Sequence, residues 1–276
     1  MTKPKVIFFG NGPLADYALE ILEPNCDIIF HARTREDLEE VKKIKSENSD
    51  AHGILASFGV IVKPDVLELF EPDGILNIHP SRLPDLRGPS PIETAILRGD
   101  REFFVSVMKL VKEMDAGPIY YQFKTPELVK SDYACPEDKE VIYSTLAHAG
   151  ANWIFENLNK LPNPVKQSKE HVTFCQKLDK SMSVLDPEKK SARELMLEIR
   201  AFSGFPKSKY IFAGIECTII SAHVATPDEA SSCVDNVYTM YIQCHDGSVL
   251  IIDTLQPAGR KIMDAKSFVN GYMKKS

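Results

Sequence analysis

Three polar side chains in this sequence have the chemistry needed to assist nucleophilic attack on a carbonyl carbon. Asn77 and His79 stand at the end of an apolar run, and Asp115 follows a second, β-rich run at Phe103–Met108. Because side chains alternate along a strand, Asn77 and His79 are predicted to point to the same face. An amide can hold a developing oxyanion, and an imidazole can donate to it or move a proton. Asp115 could orient the imidazole or take the nucleophile's proton through water.

The elements that must position these side chains alternate between strand and helix. The apolar runs predict strands at Val6–Phe9, Asp27–Phe30, Gly53–Phe58 and Gly74–His79, and helical spacing predicts helices at Leu14–Leu22, Thr34–Glu47 and Pro64–Phe70. Thr34 is the expected N-cap of its helix. Apolar strands separated by helices are typical of a parallel sheet covered on both faces, in which ligands bind beyond the carboxyl ends of strands. Asn77 and His79 lie at such an end.

The second half of the chain has a different pattern. A long amphipathic helix is predicted at Pro136–Leu161, and the stretch after it, with Pro162, Pro164 and polar residues 166–171, is predicted to be a linker. Beyond the linker, a helix is predicted at Ala192–Phe202, β-rich runs at Tyr210–Phe212, Glu216–His223, Val237–Gln243 and Val249–Asp253, and a final helix at Ala265–Met273. Short strands separated by turns, without helices between them, predict a small antiparallel barrel.

The glycines after the first strand match a dinucleotide-binding turn only in part. Gly10, Asn11 and Gly12 lack the third glycine of the G-x-G-x-x-G motif. The second predicted strand is followed by His31 and Arg33 rather than by an acidic residue. We therefore expect a tight turn whose amides face a substrate, and no nicotinamide site.

Composition and charge exclude several classes of protein. The chain has 276 residues, 43% hydrophobic and 26% charged, and no apolar run approaches the roughly 20 residues that span a bilayer. The six cysteines form no Cys-x-x-Cys pair and the seven histidines have no ligand spacing, so no disulfide framework or metal site is expected. We expect a cytoplasmic monomer. Residues 1–165 carry a net charge of −8 and residues 166–276 of +2, so the C-terminal part could meet a polyanion.

The segment around Asn77 and His79 resembles the Asn-x-His…Ser-Leu-Leu-Pro-x-x-x-Gly signature of the folate-dependent formyltransferases. Asp115 stands where that family has its catalytic Asp. The departure is Arg82 in place of the first Leu, which leaves the catalytic positions intact. The resemblance covers nearly the whole chain, with further matching segments at Ala56–Val62, Arg87–Ile92, Thr173–Leu178, Arg200–Phe202 and Leu255–Lys261.

The resemblance implies a fold and an activity. The implied fold is α/β, with a Rossmann-like parallel-sheet formyltransferase domain at 1–165, a linker at 166–180 and an OB-like β-barrel domain at 181–276. The implied formyl donor is 10-formyltetrahydrofolate. The implied acceptor is the α-amine of methionine on initiator methionyl-tRNA, which is formylated for translation initiation.

The resemblance also implies roles for individual residues. Asn77 would hold the oxyanion, His79 would donate or move a proton, and Asp115 would set the tautomer of His79 and help to deprotonate the amine. The remaining binding residues fall into two sets. The donor is expected at Phe58, Gly59, Val60, Ile61 and Val62, and the acceptor at Gly10, Asn11, Gly12, Ser81, Arg87, Arg260 and Lys261.

One part of the family pattern is missing. In members that formylate tRNA, a long basic loop follows the second strand, whereas here that strand runs into the short, mostly acidic helix start Thr34–Leu38. A folate-dependent formyltransferase that acts on a sugar-nucleotide amine would share this feature and is the main alternative. A formyltransferase for glycinamide ribonucleotide is disfavoured, because that enzyme lacks a C-terminal barrel. A catalytically silent RNA-binding protein is also disfavoured, because it would have no use for Asn77, His79 and Asp115.

Overall fold

The computed structural model describes residues 3–128, 133–134, 136–233 and 239–273. The strands are β1 (Lys5–Gly10), β2 (Asp27–Ala32), β3 (His52–Ala56), β4 (Ile75–His79), β5 (Phe104–Lys109), β6 (Ile119–Lys124), β7 (Tyr133–Ala134), β8 (Ser208–Phe212), β9 (Ile215–Val224), β10 (Met240–Gln243), β11 (Val249–Pro257) and β12 (Met263–Asp264). The helices are α1 (Pro13–Asn25), α2 (Asp37–Glu47), α3 (Pro64–Leu67), α4 (Pro91–Leu97), α5 (Pro136–Asn157), α6 (Ala192–Ala201), α7 (Pro227–Cys233) and α8 (Ala265–Phe268). Over these described ranges, no helix is both long enough and apolar enough to cross a membrane.

Contacts between residues divide the chain into two compact units. The described residues within 1–92, 102–128 and 140–177 form unit 1, and those within 93–101, 129–139 and 178–276 form unit 2. Residues 166–177 of the predicted linker therefore belong to unit 1. The predicted boundaries, a catalytic domain at 1–165 and a barrel domain at 181–276, stay a prediction.

The sheet of unit 1 has the strand order β2-β1-β3-β4-β5-β6. Strands β1 to β4 are parallel, whereas β5 runs antiparallel to β4 and β6 antiparallel to β5. The predicted α/β class with Rossmann-like parallel strands is confirmed, but the sheet is mixed, and β6 is an element that the sequence pattern does not indicate. Alternation along a strand fixes its two faces and leaves its direction to the connection that precedes it.

Helices cover both faces of this sheet. On one face, α2 buries Leu38 and Val41 in a cluster with Leu55 of β3. On the other face, the fully buried Ile78 of β4 packs against α5, where a Cβ added to Gly150 would lie 2.8 Å from Ile78 Cγ2. Full burial of such a side chain contributes about 1.5–3 kcal/mol. The close approach of α5 therefore holds the back of the strand whose front carries Asn77 and His79.

The beginning of α2 differs from its prediction. The helix begins at Asp37, and Thr34 is not its N-cap. Instead the Asp37 carboxylate accepts the backbone N–H groups of Arg33 and Thr34, both at 2.7 Å. These two bonds hold the pKa of Asp37 below its ordinary value. The connection after β2 is thus a closed turn with no room for an extended loop.

Unit 2 contains an antiparallel sheet that curls around two long strands. β9 pairs with β11 along one edge, and with β8 and β7 at different points of its other edge. β11 likewise pairs with β10 and then β12, and its register with β9 shifts on both sides of Thr254. Such shifts bend a strand, so one strand can serve two partners. The predicted antiparallel, OB-like class is confirmed.

Two details of unit 2 were less accessible to sequence patterns. Residues 237–238 of the predicted run Val237–Gln243 lie outside the described part of the chain, and β10 begins at Met240. The short helix α7 begins at Pro227, in a stretch between β-rich runs where the sequence pattern predicts only turns. Proline is compatible with the first turn of a helix because the N–H that it lacks would have no helical partner there.

Candidate active site

The segments that follow β1, β2 and β3 are hydrogen-bonded to one another at the carboxyl edge of the parallel strands. The Asn11 N–H donates to the carbonyl of Ser57 at 3.2 Å, and the Asn11 side-chain amide donates to the carbonyl of Arg33 at 3.1 Å. Gly10 is required here, because a Cβ would stand 2.1 Å from the carbonyl oxygen of Ala56. These contacts form the wall of a crevice at the position where ligands bind in open α/β sheets.

Asn77 keeps its side-chain amide unpaired inside the sheet. The residue is 5% exposed, and its register partners on the same face are the buried Leu55 of β3 and Met108 of β5. Within the part of the chain that the structure describes, no group forms a hydrogen bond with this amide. The amide is therefore held ready for the oxygen of a ligand.

The ring of His79 is oriented by the loop that follows β4. Its Nε2 lies 3.0 Å from the carbonyl oxygen of Leu86, and since a carbonyl only accepts, Nε2 carries the proton of the neutral ring. Nδ1 is then a free acceptor, 3.7 Å from Oδ1 of Asp115, which is longer than a hydrogen bond. Leu86, rather than Asp115, fixes the tautomer. Nδ1 and the carboxylate stand as two acceptors for one incoming N–H donor.

Asp115 is held by a second loop contact. Its Oδ2 accepts the N–H of Gly88 at 2.7 Å, which leaves Oδ1 to face the imidazole. Gly88 has a φ of +113°, and a Cβ there would lie 3.0 Å from Sγ of Cys175. Ser57, Leu86 and Asp115 all have left-handed backbones, with φ values of +53°, +57° and +49°. Such strained conformations cluster where the surrounding structure fixes functional groups.

The chain returns to this site along residues 165–176, here called the returning segment. It begins with two backbone hydrogen bonds of 2.8 Å between Val165 and Ile119, at the start of β6. Further along, the N–H of Arg87 donates to the carbonyl of Thr173 at 3.0 Å. The returning segment is thus bonded to the loop that orients the imidazole and the carboxylate.

Gln167 of the returning segment connects three parts of the site. Its side-chain NH₂ donates to the carbonyls of Asp115 and Gly117, at 2.7 and 2.8 Å. Its side-chain oxygen accepts from Nε and Nη2 of Arg87, at 3.1 and 2.6 Å. All of its polar atoms are therefore used to hold the Asp115 loop and the Arg87 guanidinium.

Comparison with known proteins identifies the kind of site that these residues form. Residues 11–158, which include the three catalytic candidates, match the family model described as formyl transferase, and residues 177–273 match that described as formyl transferase, C-terminal domain. The chain belongs to the formyl transferase family. The resemblance seen in the sequence is confirmed.

Individual relatives and solved structures match along most of the chain. A methionyl-tRNA formyltransferase of Dechloromonas aromatica (strain RCB) is 32% identical over 248 residues, which are 88% of this chain and 77% of that protein. Among solved structures, a methionyl-tRNA formyltransferase from Clostridium thermocellum has a TM-score of 0.61 and 17% identity, over 96% of this chain and 100% of that one. HypX from Aquifex aeolicus, in complex with tetrahydrofolic acid, has a TM-score of 0.69 and 16% identity, over 100% of this chain and 48% of that one.

The segment predicted to hold the formyl donor has buried ends and an open middle. Phe58 and Val62 are 2% and 6% exposed and belong to the core of unit 1, while Ile61 is 72% exposed. Gly59 has a φ of +69°, with open space where a Cβ would stand. Within the described residues, the backbone N–H groups of Gly59, Val60 and Ile61 have no hydrogen-bond partner. Free amides beside an apolar side chain suit the amide-like edge of a pterin.

Ser81, a predicted acceptor-binding residue, is used inside its own loop. The residue is 3% exposed, and its hydroxyl donates to the carbonyl of Asp85 at 2.6 Å. The hydroxyl of Ser106 donates to the Ser81 carbonyl at 2.7 Å, and Gln122 donates to the carbonyl of Leu83 at 2.9 Å. The network fixes the chain direction immediately after His79.

Arg260 and Lys261, the predicted acceptor residues of unit 2, lie in the turn between β11 and β12. Both are exposed, and among the described residues neither side chain has a hydrogen-bond or ion-pair partner. The Asp264 carboxylate caps the following helix, α8, by accepting the N–H of Ser267 at 2.7 Å, so any phosphate contact here rests on the two side chains.

Three contributors to the site have weak signals in the sequence. The carbonyl of Leu86 and the N–H of Gly88 are backbone groups, so residue type does not reveal them, although Gly88 is the glycine of the family signature. Gln167 lies in a polar stretch predicted to be a linker.

Within the described residues there is no group of three or more His, Cys, Asp or Glu side chains that could hold a metal ion.

Proposed function

We propose that this chain transfers the formyl group of 10-formyltetrahydrofolate to the α-amine of methionine on initiator methionyl-tRNA. The chemistry of the proposal rests on one observation, the buried and unpaired amide of Asn77 beside the His79–Asp115 pair. The identity of the acceptor rests on the relatives that are named methionyl-tRNA formyltransferases and on the second family domain.

Asn77 acts on the oxygen of the formyl carbonyl. As the amine attacks, that oxygen gains negative charge, and the side-chain NH₂ of Asn77 donates a hydrogen bond to it. The apolar neighbours Leu55 and Met108 lower the local dielectric and strengthen this bond. Because no group among the described residues forms a hydrogen bond with the amide, its donors are available when the charge develops.

His79 and Asp115 act on the proton of the amine. A reference α-amino group has a pKa of about 7.7–8.0, so a substantial fraction is the neutral nucleophile at neutral pH. Attack makes the nitrogen cationic, and its proton passes to Nδ1 of His79, the ring nitrogen that the bond to Leu86 leaves free. Asp115 then stabilises the imidazolium, because its Oδ1 faces Nδ1 and its Oδ2 is anchored to Gly88. As the tetrahedral intermediate collapses, the bond from the formyl carbon to N10 of the folate breaks, the imidazolium returns the proton to N10, and tetrahydrofolate leaves.

The formyl donor lies against the free backbone N–H groups of Gly59, Val60 and Ile61 in this proposal. Those amides follow β3, whose carboxyl end is adjacent to that of β4. The same edge of the sheet therefore holds the donor and Asn77. The turn at Gly10, Asn11 and Gly12 adjoins this donor segment through the bond from the Asn11 N–H to the carbonyl of Ser57.

One specific observation favours a second candidate. The turn after β2 is closed by Asp37 and has Arg33 and Arg35 beside Glu36 and Asp37, so it is neither extended nor strongly basic, unlike the loop expected in a tRNA formyltransferase. A formyltransferase for a sugar-nucleotide amine needs no such loop. Its acceptor would use the same Asn77, His79 and Asp115.

The deciding experiment measures initial rates of formyl transfer from 10-formyltetrahydrofolate to charged initiator methionyl-tRNA and, separately, to a sugar-nucleotide amine. The proposal expects kcat/KM for methionyl-tRNA to be at least a hundredfold higher than for the small amine. This ratio corresponds to a difference of about 2.7 kcal/mol in transition-state stabilisation. A preference for the small amine supports the second candidate. RNA binding without transfer to either acceptor contradicts both.

A further inference from the structure

A cleft in unit 1 opens beside the Asp115 loop, at the start of the returning segment. Its volume is about 470 Å³. The floor is formed by small or apolar residues of the Asp115 loop, among them Ala116, Gly117 and Pro118, and by Val172. The cleft therefore adjoins the loop that carries the carboxylate of the site without including the carboxylate itself.

The rim of the cleft is positively charged. Arg87, Lys166 and Lys169 line it, against the single carboxylate of Glu113. Both lysines are exposed, and within the described ranges neither ammonium has a hydrogen-bond or ion-pair partner. Other lysines of unit 1, among them Lys112 and Lys160, are also exposed and without a partner among the described residues, and Lys166 and Lys169 differ from these in lining one concave site together with Arg87.

The arginine at this rim is held in a fixed orientation. Gln167 accepts from Nε and Nη2 of Arg87, so Nη1 remains for a ligand. The guanidinium keeps its charge, because a neutral amide does not neutralise it. A planar donor in fixed orientation, flanked by two mobile ammonium groups, suits the oxygens of a phosphate.

The same glutamine joins this rim to the catalytic loop. Its NH₂ group holds the carbonyls of Asp115 and Gly117. A group bound at the rim thus lies near the loop that serves the attacking amine, on the side of the acceptor rather than of the folate segment at residues 58–62.

We propose that Arg87, Lys166 and Lys169 bind a phosphate group of the acceptor. The inference rests on the proposed function, since it supplies a phosphate contact for the acceptor of that reaction. For methionyl-tRNA, the phosphate belongs to the single-stranded end that bears the methionine. A sugar nucleotide would present the same chemistry through its diphosphate.

The test compares two double variants of the full chain. Lys166→Ala with Lys169→Ala removes the two free ammonium groups of the cleft. The matched control, Lys112→Ala with Lys160→Ala, removes two exposed lysines of unit 1 that do not line it. Both variants change the net charge equally. Formyl transfer is measured with methionyl-tRNA and with the methionyl ester of adenosine, which carries the amine but no phosphate.

The proposal expects the cleft variant to raise KM for methionyl-tRNA roughly tenfold, as when charge-assisted hydrogen bonds are lost. The slope of log KM against log salt should fall by about 0.7, for one phosphate contact to a single strand. The rate with the adenosine ester should equal that of the wild type, and the control variant should behave as the wild type with both acceptors.

Two outcomes would refute phosphate binding at the cleft and leave the proposed function intact. In the first, both double variants raise KM for methionyl-tRNA equally, which indicates an effect of net charge alone. In the second, the cleft variant slows the adenosine ester as much as the tRNA, which indicates a structural effect on the catalytic loop. If the wild type turns over only a sugar-nucleotide amine, the tRNA assignment fails, and the same comparison made with that acceptor decides the cleft.

Discussion

Replacement of Gln167 by Glu should slow formyl transfer without unfolding the protein. The substitution keeps the size of the side chain but replaces its NH₂ group by a second oxygen. That oxygen would face the carbonyls of Asp115 and Gly117, which now accept hydrogen bonds at 2.7 and 2.8 Å. The carboxylate would still accept from the Arg87 guanidinium, so the change acts mainly on the Asp115 loop.

The expected size of the effect follows from the two lost bonds. A typical hydrogen bond contributes about 0.5–1.5 kcal/mol net, so the pair holds the loop by about 1–3 kcal/mol. Gln167 is half-buried, and water can replace part of that stabilisation. We therefore expect kcat to fall roughly 5- to 30-fold, toward the lower half of the range that those energies permit.

The assay measures kcat at saturating methionyl-tRNA, together with the pH dependence of kcat and the melting temperature. Ser46→Ala is the matched control, since among the described residues the exposed Ser46 hydroxyl donates only to the nearby carbonyl of Lys43, and Ser46 does not line the cleft beside the Asp115 loop. A less firmly held Asp115 carboxylate should also stabilise the His79 imidazolium less, so the pH dependence of kcat should shift in the variant. An unchanged kcat and pH profile in a folded Gln167→Glu variant would refute the positioning role.

The remaining predictions concern other parts of the chain. His79→Ala should lower the rate at least roughly 100-fold in a single-turnover assay, and Asp115→Asn should act similarly because it removes the charge that stabilises the imidazolium. A pH–rate profile of Asp115→Asn that matches the wild type would contradict this role. Burial raises the pKa of the Cys175 thiol, so the unfolded chain, with a reference value of about 8.5, loses this proton first as pH rises. The free energy of unfolding should then fall above about pH 8, by less in Cys175→Ala than in the wild type; denaturant titrations check this, and equal slopes contradict it. Arg260→Ala with Lys261→Ala should raise KM for methionyl-tRNA and reduce the salt slope by about 0.9 per lost contact to a duplex-like stem, while the dissociation constant of folate stays unchanged. Filter binding measures the salt slope for methionyl-tRNA and the dissociation constant of folate. An unchanged salt slope would exclude these side chains as phosphate contacts.

Much of the fold follows from local sequence patterns. The apolar runs and helical spacing of residues 5–79 predict β1 to β4 and the helices between them, because each element buries a face that its period reveals. Strand direction is different. β5 has the same apolar character as its parallel neighbours, yet it runs antiparallel, since direction depends on the path of the connecting chain. The sequence does not distinguish the short helix α7 from a turn, because proline is common both in turns and at the first position of a helix.

The site was predictable where it depends on side chains and not where it depends on the backbone. Asn77 and His79 have types and a spacing that place them together on one strand face. The tautomer of His79 is fixed by the carbonyl of Leu86, a group that every residue has. The predicted role of Asp115 in fixing that tautomer was wrong for this reason.

The polar stretch after α5 shows the limit of composition as a guide. Its prolines and charges are typical of a linker, but Gln167 and Thr173 form hydrogen bonds with the loops of the catalytic residues. Polar residues can be structural when their partners are backbone groups distant in sequence. Only the three-dimensional structure reveals those partners.

The central claim is that Asn77 stabilises the oxygen of the formyl carbonyl as the amine attacks. The most direct test is single-turnover formyl transfer to methionyl-tRNA by Asn77→Ala, with the dissociation constant of the folate measured on the same preparation. The rate should fall by roughly 10²- to 10³-fold, the usual effect of removing an oxyanion donor, while folate binding changes by less than about threefold. A folded Asn77→Ala variant that transfers the formyl group at nearly the wild-type rate would contradict the account.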